Sequence, residues 1–130
     1  MGITCLIDTH ILLWWFFDDP QLNQACREII RDRNNLILVS SASAWEIATK
    51  YRLGKLPEAQ LLVAAYQDIL NQANFTELPI STAHALRAGN LPIEHRDPFD
   101  RMLMAQAEIE NIPIMTYDSA FKTGLIKVLS

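Results

Sequence analysis

Apolar positions in this chain fall into short runs, separated by longer stretches in which they recur every three or four residues. The short runs are Ile3-Thr4-Cys5-Leu6-Ile7, Leu36-Ile37-Leu38-Val39, Phe75-Thr76-Glu77-Leu78, Ile114-Met115-Thr116 and a last one from Ile126 to Leu129. Runs of this length predict strands, and the most continuous of them predict strands buried on both faces.

The stretches between them predict helices. Thr9 to Phe17 is one, stopped by Asp18-Asp19-Pro20. Gln21 to Arg33 is amphipathic, with Leu22, Ala25, Cys26, Ile29 and Ile30 on one face. Ser40 and Ser41 offer caps for a helix to Leu53, with Gly54 as its C-terminal stop. Pro57 opens a helix over 58–74, and Ser81 opens another to about Gly89. Asp97-Pro98-Phe99-Asp100 is a helix start, with a cap residue followed by proline at the first helical position. That helix runs to about Glu110 and is closed by Asn111-Ile112-Pro113; a short helical turn follows Asp118.

Strands alternating with helices in this way specify parallel βαβ units. The expected fold is therefore α/β: a three-layer α/β/α sandwich on a mainly parallel central sheet. Residues 1–130 fit one domain, with no repeat, linker or low-complexity segment.

Composition narrows the picture only at a few points. Half the residues are hydrophobic and a fifth are charged, which is globular rather than disordered composition. The net charge of −4 argues against a long basic groove for duplex nucleic acid. It does not argue against a cluster of acids that holds a cation. Cys5 and Cys26 sit in apolar segments without metal-ligand spacing, as free thiols do in a reducing compartment. The apolar run Ile11 to Phe17 is too short to cross a bilayer and lacks a basic start. A cytoplasmic protein with no membrane partner is the expectation.

The candidate chemistry lies in the acids. Ligands of open parallel sheets gather beyond the carboxyl ends of the strands. Asp8 ends the first strand and Asp118 follows the fourth; Glu46 lies early in the helix after the second. Asp100 lies in the first turn of its helix, where the dipole favours an anion. Carboxylates gathered without histidine or cysteine suit Mg²⁺ or Mn²⁺, which can activate water and clamp phosphodiester oxygens. Thr9, Thr116 and Ser119 are nearby hydroxyls able to orient such a site.

Each acid also has a purely structural reading. Asp8 could cap the following helix. Glu46 could form a capping box with Ser43 or an ion pair with Lys50. Asp118 could be an ordinary turn residue. Asp97 and Asp100 share a cap-like spacing, and Asp97 is assigned to the cap. His95, near Asp97, could contact substrate but reads first as a solvated loop residue; His10 reads as structural, and His84 pairs with neither as a metal site.

The ordered segments Leu6-Ile7-Asp8-Thr9-His10, Ser40-Ser41-Ala42-Ser43-Ala44-Trp45-Glu46-Ile47, Arg96-Asp97-Pro98-Phe99-Asp100-Arg101 and Thr116-Tyr117-Asp118 resemble the acidic motifs of PIN-domain proteins. They are most similar to those of VapC-type toxin ribonucleases of toxin–antitoxin pairs. That resemblance implies a Mg²⁺- or Mn²⁺-dependent endoribonuclease that cleaves RNA with activated water. On this chain it implies Asp8 and Asp100 as principal metal ligands, Glu46 as a ligand through water or a second ion, and Asp118 completing the acidic pocket. Lys50, Arg52, Arg96 and Arg101 become candidates for the RNA backbone.

Ile11 to Phe17 is apolar around every side of its helix, which predicts that part of it meets another chain. The resemblance implies a homodimer and a cognate antitoxin as partners. Two other function classes remain open: a non-catalytic PIN module that binds metal or a partner, and phosphotransfer through Asp8 or Asp118. The second usually needs a lysine at a later strand end, and Lys122 is poorly placed for it.

Overall fold

The computed structural model describes residues 2–130. Five strands form one sheet in the order β3-β2-β1-β4-β5, with every pairing parallel. The strands are β1 (Thr4–Ile7), β2 (Leu36–Ser40), β3 (Phe75–Leu78), β4 (Ile114–Met115) and β5 (Val128–Leu129). Among the described residues the helices are α1 (Thr9–Phe16), α2 (Gln24–Arg31), α3 (Ser41–Arg52), α4 (Gln60–Ala64), α5 (Tyr66–Gln72), α6 (Thr82–Asn90) and α7 (Pro98–Glu110).

Side-chain alternation along the strands divides the core in two. Cys5, Ile7, Ile37, Val39 and Met115 pack with Ile11, Leu12, Cys26, Ile30, Leu62 and Leu70 from α1, α2, α4 and α5. Leu6, Leu38 and Ile114 point the other way, onto Ala88, Leu103, Met104 and Ala107 of α6 and α7. This is the three-layer sandwich expected from the sequence. Cys5, Leu6 and Ile7 are all fully buried, so β1 is the seam between the two cores. A Leu6→Ala truncation there costs about 2–5 kcal/mol.

Helix ends follow local chemistry. Gly54, at φ +77, closes α3 with Gly54 N–H donating to Tyr51 O and Lys55 N–H to Lys50 O, a pair of bonds that needs a left-handed residue between them. Asn111, at φ 55, ends α7 in the same conformation. Two expected helices are shorter than their apolar patterns. The one expected over 21–33 begins only at Gln24, because the Asn23 side chain accepts from Cys26 N–H and caps it. Leu22 still enters the core, from the preceding turn. The single helix expected over 58–74 is a 3-10 turn (Pro57–Ala59) followed by α4 and α5, which meet at a non-helical Ala65. No glycine or proline marks that break.

Candidate active site

The strand order turns at β1. The chain winds from β1 to β2 and β3 on one side, then crosses to β4 on the other, and such a turning point leaves a crevice beyond the strand ends. Asp8 lies there. Its N–H donates to Met115 O of the neighbouring β4 at 3.1 Å. Its Oδ1 accepts from Ile11 N–H at 2.8 Å and so caps α1. Its Oδ2 accepts from the Thr116 hydroxyl, and Thr116 Oγ1 accepts in turn from Asp118 N–H at 3.0 Å. Asp8 is thus a cap and also an anion held in one orientation from across the sheet. It is only 4% exposed.

Glu46 reaches the same edge from α3, and is likewise 4% exposed. Lys50, one turn on, donates to its Oε2 at 2.6 Å, as the i,i+4 spacing allows. Glu46 Oε1 is buried with no hydrogen-bond partner. The capping box with Ser43 does not form: Ser40 caps α3, and the Ser43 hydroxyl bonds Thr9 Oγ1 at 2.9 Å. That bond ties α3 to the residue following Asp8. It also occupies the Thr9 hydroxyl with Ser43 rather than with a carboxylate.

Asp100 comes from the first turn of α7. Asp97 takes the cap, accepting from the N–H groups of Phe99 and Asp100, which leaves the Asp100 side chain for other work. Its Oδ2 accepts from His95 Nε2 at 2.7 Å. His95 is therefore not a solvated loop residue. Its five-residue distance from Asp100 was legible in the sequence, but the loop that folds it back was not. Trp45, 59% exposed, meets Phe99 edge to face at 4.6 Å, joining the residues next to Glu46 and Asp100.

The electrostatics of the three acids are connected. Burial pushes the Asp8 carboxyl above its usual range, against the Thr116 and Ile11 bonds, and the Glu46 charge adds to the rise. Burial likewise raises Asp100, against the bond from His95, with Asp97 and Glu46 both contributing further. Glu46 is thus the shared neighbour of both aspartates. Asp118 is exposed and stands apart: its Oδ1 accepts from Ala120 N–H at 2.9 Å. It joins Asp8, His10, Trp14 and Tyr117 around a hollow of about 270 Å³. Ser119 is exposed beside it.

Among the described residues, no three His, Cys, Asp or Glu side chains already converge as a set of metal ligands. The donors nonetheless fit a hard divalent cation. They are carboxylate oxygens on one edge, two of them costly to ionise where they stand, with an unpartnered buried oxygen on Glu46.

The expected RNA-facing cations separate. Arg52 and Arg96 are exposed, and Lys50 is paired with Glu46. Arg101 is committed elsewhere: its guanidinium donates to the carbonyls of Ala88, Gly89, Leu91, Ile93 and His95 at 2.9–3.4 Å. A guanidinium has five N–H donors, and all five are in use. The aromatic face of α1 is also partly covered within the chain. Trp14 packs on Tyr117, and Trp15 on Phe75. Among the described residues, no helix is long and apolar enough to cross a membrane.

The PIN domain family model matches residues 5–123, and the chain belongs to the PIN-domain family. Within that family it is similar to Ribonuclease VapC16 of Mycobacterium tuberculosis, at 43% identity over 58 residues. The match covers 45% of this chain and 41% of that protein, so the chain spans less than half the length of this relative. Its fold is similar to VapBC2 from Rickettsia felis, a crystal structure bound to a DNA fragment from its promoter (TM-score 0.72, 18% identity, 98% of each chain covered). It is also similar to FitAcB from Neisseria gonorrhoeae (TM-score 0.67, 19% identity, 97% of this chain and 96% of that one). A DNA-bound VapBC from Salmonella typhimurium matches with a TM-score of 0.68 at 14% identity, over 98% of this chain and 97% of that one. At these identities the structural matches establish the fold.

Proposed function

We propose that this chain is a VapC-type endoribonuclease, working as one PIN unit over residues 1–130, that hydrolyses RNA phosphodiesters with a Mg²⁺ or Mn²⁺ ion. The observation that carries the reading is the sheet edge itself. Asp8 and Asp100 are each held above the usual carboxylate range by burial, both feel Glu46, and Glu46 Oε1 lacks a partner. Buried anions left in that state are a cost to the fold unless a cation joins them. The family membership and the named ribonuclease relative supply the reaction class.

When bound, the cation supplies a Lewis acid that readies water for in-line attack and steadies the phosphoryl oxygens. Asp8 and Asp100 are its principal holders, with Glu46 Oε1 completing the set directly or through water. The chain's other residues fix these groups in advance. Thr116 aims Asp8 Oδ2, the Ile11 N–H holds Oδ1, and Lys50 restrains Glu46 through its other oxygen. Asp118, at the rim of the Asp8 hollow, adds negative charge at the entrance. Arg52 and Arg96, both exposed, provide backbone contacts for RNA.

The same reading gives the chain a cognate antitoxin as partner, as in the VapBC complexes that share its fold, and a homodimeric assembly. It places the protein in the cytoplasm, where RNA is available and the free thiols Cys5 and Cys26 stay reduced.

The test is cleavage of a fluorescent single-stranded RNA by the purified protein. Mg²⁺ or Mn²⁺ gives products with 5′-phosphates, and excess EDTA stops the reaction. Cleavage that persists in EDTA would defeat the reading. Cation binding without turnover of any RNA would reduce the protein to a binding module.

A further inference from the structure

The Arg101 guanidinium poses a question that RNA binding does not answer. An arginine beside a proposed metal ligand is the natural phosphate contact, yet this one turns all five donors onto its own chain. Two of its acceptors, the carbonyls of Ala88 and Gly89, lie in the last turn of α6, where carbonyls lose their helical partners. The other three, on Leu91, Ile93 and His95, belong to a connection without regular structure. One charged fork thus finishes α6 and ties the following connection to the first turn of α7. The last carbonyl it holds belongs to His95, and the His95 imidazole donates from Nε2 to Asp100 Oδ2 at 2.7 Å. Arg101 and Asp100 are neighbours in sequence, so the path from α7 out to the loop and back again is a closed ring.

We infer that Arg101 and His95 are positioning residues for Asp100: Arg101 fixes the 88–95 backbone, and that backbone presents His95 to orient the Asp100 carboxylate. The inference rests on the proposed reading of the site and names how one of its ligands is held. The imidazole engages Oδ2, which leaves Oδ1 as the oxygen that would meet the cation. A carboxylate steered by a fixed N–H gives up less conformational freedom when it takes a cation, and losing such outer partners typically weakens metal affinity 10–100-fold. Lysine cannot replace Arg101, because an ammonium has three donors on a flexible stem and no planar fork.

Two linked measurements on the full chain test this, with Mn²⁺ alone as the probe. Mn²⁺ affinity is read from the loss of the free-ion electron paramagnetic resonance signal. Amide hydrogen exchange over residues 90–96 is read in EDTA. Arg101→Lys is expected to raise exchange across that segment and to weaken Mn²⁺ binding about tenfold. His95→Ala is expected to weaken Mn²⁺ binding comparably, with little change in exchange. His95→Gln, whose amide N–H reaches to a similar distance, is expected to restore most of the affinity. A purely structural histidine would show no such recovery. Should Arg101→Lys fail to fold, the half-exposed His95 pair still decides the matter.

Wild-type affinity in His95→Ala, or a Gln variant as weak as Ala, would overturn the inference while leaving the reading of the site intact. Unchanged exchange in Arg101→Lys would overturn the role of Arg101. A wild-type protein that takes up no Mn²⁺ would overturn both the inference and the site reading.

Discussion

Between α6 and α7, Glu108 accepts from Arg87 at 2.5 and 2.9 Å, and Glu110 accepts from His84 at 2.9 Å. His84 is buried but fully engaged: its Nδ1 accepts from Ser81 N–H, and the Ser81 hydroxyl caps the same helix in return. At the carboxyl edge of the sheet three acids approach one another, and Lys50 pairs with one of them, Glu46. The two regions use the same functional groups with opposite results. Arg87 holds Glu108 below its ordinary range, whereas burial holds Asp8 and Asp100 above theirs. The polar cluster between the helices does leave one buried oxygen over, Gln106 Oε1, but that group is neutral. A carboxylate in the same position costs far more. The acids of the helix pair are matched by cations, and Asp8 and Asp100 at the sheet edge are left in want of a charge, the pattern expected of the proposed site.

Substitutions at the sheet edge should therefore cost activity and spare stability, with the reverse at the helix pair. The largest effect is expected for Asp8→Asn. RNA cleavage should fall by at least about a thousandfold, since an amide keeps the Oδ1 cap on Ile11 N–H but loses the charge that would hold the cation. The melting temperature in EDTA at neutral pH should stay level or rise, because the buried charge is gone. A variant that melts well below wild type would break the contrast.

Glu46→Gln is expected to lose about 10–100-fold in cleavage, as a supporting ligand does. Its residual activity should need more Mg²⁺ than wild type, which a metal titration of the rate reads directly.

The pH dependence sharpens the comparison in the metal-free state. Asp8 and Asp100 have folded values above their ordinary 3.8, so the stability they contribute is complete below that pH and is lost as pH rises through the raised values. In EDTA, thermal melts should show Asp8→Asn gaining on wild type as the pH rises above 3.8. Glu108 runs the opposite way: its lowered value favours the fold at higher pH and releases that support as the pH falls. Adding Mn²⁺ at a hundred times its dissociation constant should return about 2.7 kcal/mol to wild type and nothing comparable to Asp8→Asn.

The smallest effect is expected for Arg87→Ala. Its ion pair lies at the surface, so the cleavage rate should change by less than about twofold and the melting temperature should fall only slightly.

Most of this architecture could be read from periodicity. The run Cys5-Leu6-Ile7 is apolar at every position because β1 is covered on both faces, and the parallel pairing follows from short strands alternating with helices, though the order of the strands does not. Asp97-Pro98 marked the start of α7 because a cap and a proline have one natural place in a helix. The assignment of the cap to Asp97 rather than Asp100 follows from the same spacing.

Features decided by tertiary contact were not legible. Ala65 interrupts a pattern that any propensity scale would continue. Ser43 stands at capping-box distance from Glu46 but bonds Thr9, which becomes its neighbour only when α1 and α3 meet. Arg101 reads as a phosphate contact in the sequence, which shows a charge and not its partners. Five carbonyls gathered by the chain's return from α6 claim it instead. His95 reads as a loop residue for the same reason.

The proposed site requires Asp8, Glu46 and Asp100 to share one divalent cation. Anomalous diffraction from crystals soaked in Mn²⁺ tests it most directly. A manganese peak is expected at the carboxyl edge of β1, in contact with both Asp8 and Asp100, and absent from the Asp8→Asn protein. A peak elsewhere on the molecule, or none while the three carboxylates remain apart, would contradict it.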